Sequence, residues 1–104
     1  MRPKKVTVTG VAASNWLPVD YKQDPMNLGI GCVVVSGTAT YSVEYTFDDV
    51  FDTTVTPVAF ALSTITAATA SANGVINTPI RAIRLNVTGG ASPVVSMTMI
   101  QGQR

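Results

Sequence analysis

The sequence predicts an all-β protein, a single antiparallel β-sandwich or jelly roll of seven to eight strands. Three observations lead there. Thr, Val, Ala and Ser dominate, while helix formers such as Glu, Lys, Gln and Leu are scarce, which is the composition of pleated, half-buried ribbons. Apolar residues recur at every second position, most plainly in "GTATYSVEYTFDD", where Ala39, Tyr41, Val43, Tyr45 and Phe47 alternate with Thr40, Ser42, Glu44 and Thr46. Turn signals return about every ten residues. No window of about fifteen residues carries a helical period, and no strand–helix alternation appears, which excludes parallel α/β folds.

The elements follow in order. Lys5 to Val11 alternates, with Val6 and Val8 on one face and Thr7 and Thr9 on the other. Trp16 to Tyr21 reads as a short strand, edge or bulged because Pro18 withholds a donor. "KQDPMN" is a turn in which Pro25 restricts Asp24 to extended geometry. Leu28 to Ser36 is apolar almost throughout, as a buried central strand is. Ser36-Gly37 between two β runs predicts a hairpin into the Tyr41–Phe47 strand. "DDVFDTT" is a polar loop, and Val55 to Leu62 a strand interrupted by Pro57. "STITAATASANG" is small and polar and ends in Asn73-Gly74, a turn signal. Ile80 to Val87 and Val94 to Gln101 are the last strands, joined by "TGGASP". The expected core is Tyr41, Val43, Tyr45, Phe47, Ile83, Leu85, Val87, Met97 and Met99, on strict alternation. In the last strand, Val94, Ser96, Thr98 and Ile100 form an alternative inner set.

At 104 residues the chain fits one domain, read as residues 1–104 with a basic N-terminal arm at 1–4. It is 46% hydrophobic and 12% charged, with a net charge of +1. So little surface charge suits either a stable extracellular-type β domain or a subunit that resides in an assembly. Cys32 stands alone, so no intramolecular disulfide scaffold exists, and it reads as a small core hydrophobe. The absence of histidine removes the commonest metal ligand and general base. The opening "MRPKKVTVTGVAAS" imitates a signal peptide, but Thr7, Thr9 and Gly10 break its apolar part. The longest apolar run, Leu28 to Val35, is too short to span a bilayer. The reading is a protein made in a cytoplasm, with no membrane partner.

Asp48, Asp49 and Asp52 form a D-D-x-x-D cluster. Three carboxylates in one loop suit calcium in principle, yet the twelve-residue loop and closing Glu of an EF-hand are missing, and a solvated acidic turn is the plainer reading. Pairing Asp48 with Asp49 or Glu44 for glycoside hydrolysis lacks an aromatic cleft and chain length. Trp16 with Tyr21 offers an aromatic platform for a sugar or a base, against the plainer role of core or interface. Arg81 and Arg84 point to opposite faces of one strand: one is expected to pair with an aspartate, the other to cover the sheet with its methylenes. Arg2, Lys4 and Lys5 are too few and too terminal for a nucleic-acid patch. The expectation is no enzyme activity, no cofactor, no metal and no small-molecule substrate. Interface candidates are Arg2, Lys4, Lys5, Trp16, Tyr21 and Arg84.

The order of segments adds a resemblance. "WLPVDY" (Trp16–Tyr21), "DPMNLG" (Asp24–Gly29), "SGTATYSVEYTFDD" (Ser36–Asp49), the run Asn73–Val87 with "PIRAIRLNV", and the closing "IQG" (Ile100–Gly102) together resemble small virion structural proteins of tailed bacteriophages. The resemblance covers nearly the whole chain, and none of its blocks encodes chemistry. It implies a β-sandwich on the virion, most simply a capsid decoration or cement protein that binds the major capsid protein and copies of itself. A tail, neck or fibre component and a carbohydrate-binding module are the alternatives. A ribbon with one aromatic and one hydroxyl-rich face suits such a role: one face packs inward, the other meets a protein lattice, and many weak copies bind strongly by avidity.

Overall fold

The computed structural model describes residues 4–19, 27–52 and 54–101. Eight strands appear: β1 (Lys4–Thr9), β2 (Leu17–Pro18), β3 (Leu28–Ser36), β4 (Thr40–Thr46), β5 (Phe60–Ala61), β6 (Ala72–Ile76), β7 (Ala82–Gly89) and β8 (Val94–Gln101). They form two four-stranded sheets, β1-β8-β3-β6 and β2-β7-β4-β5, antiparallel throughout. No helix occurs among the described residues, and so none is long and apolar enough to cross a membrane.

The pairings β1–β8, β2–β7, β3–β6 and β4–β5 are those of a chain folded once along its length. Wrapping that long double ribbon places β8 beside β3 and β7 beside β4. The result is a jelly roll, and the all-β sandwich expected from the sequence is the observed fold.

Alternation decides what fills it. Tyr41, Val43, Ile83, Leu85 and Val87 from one sheet meet Leu28, Ile30, Cys32, Val95, Met97 and Met99 from the other, all buried. The inner set of β8 is therefore Val95, Met97 and Met99, and Ser96, Thr98 and Ile100 face outward. Ile65 and Ile80, from the segments flanking β6, complete the core. Buried Tyr41 donates its hydroxyl to the Ala70 carbonyl at 2.6 Å, which satisfies the one polar atom it takes inside.

Four expectations change. Phe47 is 51% exposed: β4 ends at Thr46, so the chain has left the sheet before Phe47 can point inward. Ser36-Gly37 does turn, but β3 and β4 belong to different sheets, so the turn is an arch and not a hairpin. Gly37 has φ +71° and its α-carbon lies so close to the Ser92 carbonyl that a Cβ would overlap it. The arch thus packs against the β7–β8 turn, and Thr38 N donates to Ala91 O at 3.2 Å. Asn73-Gly74 lies within β6, because Gly74 lets Leu62 and Thr64 press against the strand. The Val55–Leu62 strand shrinks to Phe60–Ala61. The segment after it instead covers the β4 edge through bonds between Leu62 and Val43, Val43 and Ile65, and Ala68 and Tyr41.

Candidate functional site

The fold presents three surfaces on which a partner could act. The first is the outer face of the β2-β7-β4-β5 sheet. Register places Glu44 opposite Arg84 and Ser42 opposite Asn86. Arg84 Nε donates to Glu44 Oε1 at 2.7 Å, and Asn86 Nδ2 donates to Glu44 Oε2 at 3.3 Å. The Arg84 guanidinium lies 4.5 Å from the Trp16 ring centroid, a cation–π contact. Trp16 is held there because residues 12–14 run beside β7: Val87 N donates to Ala12 O, Ser14 N to Leu85 O, and Leu85 N to Ser14 Oγ. Of the interface candidates, Trp16 and Arg84 are thus brought together. Each group already has a partner, so this face is a closed polar network.

The second surface is the outer face of the β1-β8-β3-β6 sheet. Three cross-strand rows build it: Ile100–Gly29–Val75, Lys5–Thr98–Gly31–Asn73, and Thr7–Ser96–Val33. Gly29 and Gly31 sit on inner strand β3; above Gly31 the space where a side chain would stand is open, and a Cβ on Gly29 would only touch the Ile100 carbonyl oxygen, at 3.7 Å. The two glycines form a trough walled by exposed Ile100 and Val75. Thr7 and Ser96 share a hydrogen bond of 2.9 Å. Among the described residues of these rows, Lys5 alone is charged.

The third surface is the sandwich edge where β5 and β6 end the two sheets. Tyr45, Phe47 and Phe60 make a three-ring cluster with centroids 5.7–5.9 Å apart. A cavity of about 140 Å³ opens beside it, lined by Tyr45, Phe47, Leu62, Val75 and Ile80 among others. Beside this cluster runs the loop that carries Asp48, Asp49 and Asp52. Their carboxylates are committed to different parts of that loop. Asp48 Oδ2 accepts from Val58 N at 2.7 Å, Asp49 Oδ1 from Phe51 N at 3.0 Å, and Asp52 Oδ1 from Thr54 N and Oγ1 at 2.9 and 2.7 Å. Asp49 also meets Arg81 Nη2 at 3.3 Å. The Thr54 hydroxyl, then its amide, hold the Asp52 carboxyl below its ordinary value. Among the described residues no group of three His, Cys, Asp or Glu side chains could hold a metal ion. In this geometry the three carboxylates act as three separate loop caps.

Lys4 and Lys5 lie at the start of β1, and Lys4 Nζ donates to Pro18 O at 3.2 Å. Arg2 and Tyr21 lie outside the described residues, so the Trp16–Tyr21 platform does not enter the geometry. Cys32 is 2% exposed, and burial pushes its thiol up to about 11; it is a core side chain. Sequence reasoning missed Glu44 and Asn86 as partners of Arg84, Phe60 as a partner of Phe47, and the trough at Gly29 and Gly31. Only the last had a signal: two glycines at i and i+2 in an apolar strand face the same side.

No protein-family model matches this chain, and no curated protein matches it. Several solved structures are similar to it, two of them as follows. One is the SPBc2 prophage-derived protein YomS, 10% identical, aligned over 98% of this chain and 96% of that one with a TM-score of 0.54. The other comes from the disulfide-linked pili of Bacillus endospore appendages, 18% identical, aligned over 94% of this chain and 84% of that one with a TM-score of 0.45. At these identities the likeness is one of fold.

Proposed function

We propose that this chain is a structural protein of a tailed-bacteriophage virion, most specifically a capsid decoration protein that binds the major capsid protein. The observation that carries the reading is the outer face of the β1-β8-β3-β6 sheet: nearly uncharged, with the Thr7, Ser96 and Thr98 hydroxyls beside exposed Val33, Val75 and Ile100, and without side chains at Gly29 and Gly31. A neutral ribbon or loop of a shell protein can lie in that trough with little desolvation cost, and hydroxyls and backbone groups supply the hydrogen bonds. The role needs no catalytic residue and no cofactor. The segment order that resembles virion proteins supports it, and the likeness to a prophage-derived protein is compatible with it.

The test is to purify particles and quantify this protein against the shell. Copies in the hundreds are expected for decoration. A few to some tens of copies would move the protein to the tail or neck. Contacts built on a neutral face weaken little with salt, whereas charge-steered ones are screened within about 10 Å at 0.1 M. The protein should therefore stay on particles through a high-salt wash and leave in mild denaturant. Its absence from particles would end the reading.

A further inference from the structure

The two sheets end in four edge strands, β1, β2, β5 and β6. An open edge carries unused backbone groups and invites another strand, so edges are normally short, charged or interrupted by proline. Three of these four are. β1 carries Lys4 and Lys5, β2 is two residues long and holds Pro18, and β5 is two residues long. β6, Ala72–Ile76, has no such guard: it is five residues long, with no proline and no charge. No charged residue occurs anywhere from Ser63 to Ile80.

The ladder shows which groups of β6 are unused. Val34 N donates to Ser71 Oγ, just before β6. The even-numbered residues of β3 up to Val34 therefore aim their backbone groups at β6, where their partners are Ile76, Gly74 and Ala72. The N–H and C=O of Asn73 and Val75 then point away from β3. Among the described residues neither makes a backbone hydrogen bond outside the ladder, and both residues are exposed. Thr64 and Leu62 press on the strand from beneath, where a Cβ on Gly74 would stand.

We propose that two copies of this chain pair antiparallel through β6, with the two-fold axis at Gly74. Asn73 of each copy then lies opposite Val75 of the other, and each such pair exchanges two backbone hydrogen bonds. Charge favours a second copy as the partner strand. The uncharged run meets itself, so no charge is buried and none faces a like charge. Shape favours it as well. Beneath β6, Phe60 stands at the level of Tyr45 and Ala68 at the level of Tyr41, toward opposite ends of the same flank. The two-fold exchanges those ends and sets exposed Phe60 of one copy beside the small residues Ala67 and Ala68 of the other. The area suffices: the molecule measures 39 × 33 × 22 Å, and a flank 22 Å thick and 33 Å tall has roughly 700 Å², against about 800 Å² per partner in a standard interface. The contact is isologous and closes at the dimer. It joins the outer faces of two β1-β8-β3-β6 sheets into one, Val75 included, and does not require that face to bind a shell.

The experiment uses the purified full chain. Native mass spectrometry and sedimentation over a dilution series should show monomer and dimer and no larger species. Val75→Pro removes an N–H that the fold itself does not use, a place where an edge strand tolerates proline. It should keep the β-type circular dichroism and weaken the dimer at least about tenfold, since two intermolecular hydrogen bonds are lost. A second measurement tests the register. Asn73→Cys mixed with Val75→Cys should form a disulfide-linked dimer in air, because opposed α-carbons there are about 5.5 Å apart, within disulfide reach. Neither variant alone should link, because like positions are offset by two residues, and Cys32 is buried. A wild-type chain that stays monomeric, growth beyond the dimer, a folded Val75→Pro protein that dimerises as tightly as wild type, or linkage no greater in the mixture than in either variant alone would each overturn the proposal.

Discussion

The outer faces of the two sheets are built on the same core and by the same alternation, yet they differ in what they leave unfinished. On the β2-β7-β4-β5 sheet, Glu44 holds both Arg84 and Asn86, and Trp16 covers Arg84. That face satisfies its own polar groups. On the β1-β8-β3-β6 sheet, glycines, hydroxyls and exposed aliphatic side chains such as Val33, Val75 and Ile100 take the corresponding positions, and the space above Gly31 stays open. The difference teaches that charge content alone does not mark an interface. The face with more charged and aromatic side chains is the self-contained one, and the plainer face has room for another chain.

The largest effects should fall on both sheets alike, because both rest on one interior. Leu85→Ala beneath one face and Met97→Ala beneath the other should each cost about 2–5 kcal/mol, since both side chains are fully buried. Denaturant unfolding measures this. A loss under about 1 kcal/mol at either site would mean the core is not shared.

High pH should follow, with one titrating group under each face. Burial pushes the Cys32 thiol from 9.0 to about 11. Burial, and then the charge on Cys32, push the Tyr41 hydroxyl from 10.0 to about 12. Between its unfolded and folded values each group has lost its proton in the unfolded chain and kept it in the folded one. The unfolded state then binds fewer protons, so stability falls as pH rises, by at most about 1.4 kcal/mol per pH unit per group. The contribution of these two groups should be constant well below pH 9 and decline above it. Cys32→Ala should delay the onset of the decline toward pH 10, and an unchanged onset would contradict the burial of the thiol.

A smaller and one-sided effect tests the contrast directly. Glu44→Ala strips Arg84 and Asn86 of a shared acceptor that is 17% exposed, and should cost about 1–2 kcal/mol. Thr98→Ala on the other face should stay within about 0.5 kcal/mol. Equal costs would erase the distinction between a closed and an open face.

Much of this was legible in the sequence. The alternation of Tyr41, Val43, Ile83, Leu85 and Val87 gave the core of one sheet, and the lack of helical period gave the fold class. The limits are physical. Ser36-Gly37 signals a turn locally, but which strand the turn leads to depends on the Ser92 carbonyl, far away in sequence. Asn73-Gly74 signals a turn as well, and it lost to packing: Leu62 and Thr64 press against a strand that only glycine admits. Phe47 continues the alternation in sequence after the strand has ended in space. The Trp16–Arg84–Glu44–Asn86 network needed the register between β4 and β7, which no local pattern carries.

The smallest effect on stability should accompany a large effect on binding, and it separates the two faces most sharply. Gly31 lies on inner strand β3 of the open face, with nothing in the space a side chain would fill. Its φ is not positive, so a β-branched residue fits the backbone. Glycine in a strand interior costs about 0.5–1 kcal/mol relative to alanine, and β-branched residues favour strands further. Gly31→Val should therefore leave the fold unchanged or stabilise it by up to about 1 kcal/mol, measured by thermal unfolding. The same valine fills the trough between Thr98 and Asn73 and should keep the protein off particles in an add-back experiment. Normal occupancy by a folded Gly31→Val protein would show that the trough is not the surface through which particles are bound. A fall in stability of more than about 1 kcal/mol would show that the space above Gly31 is not open.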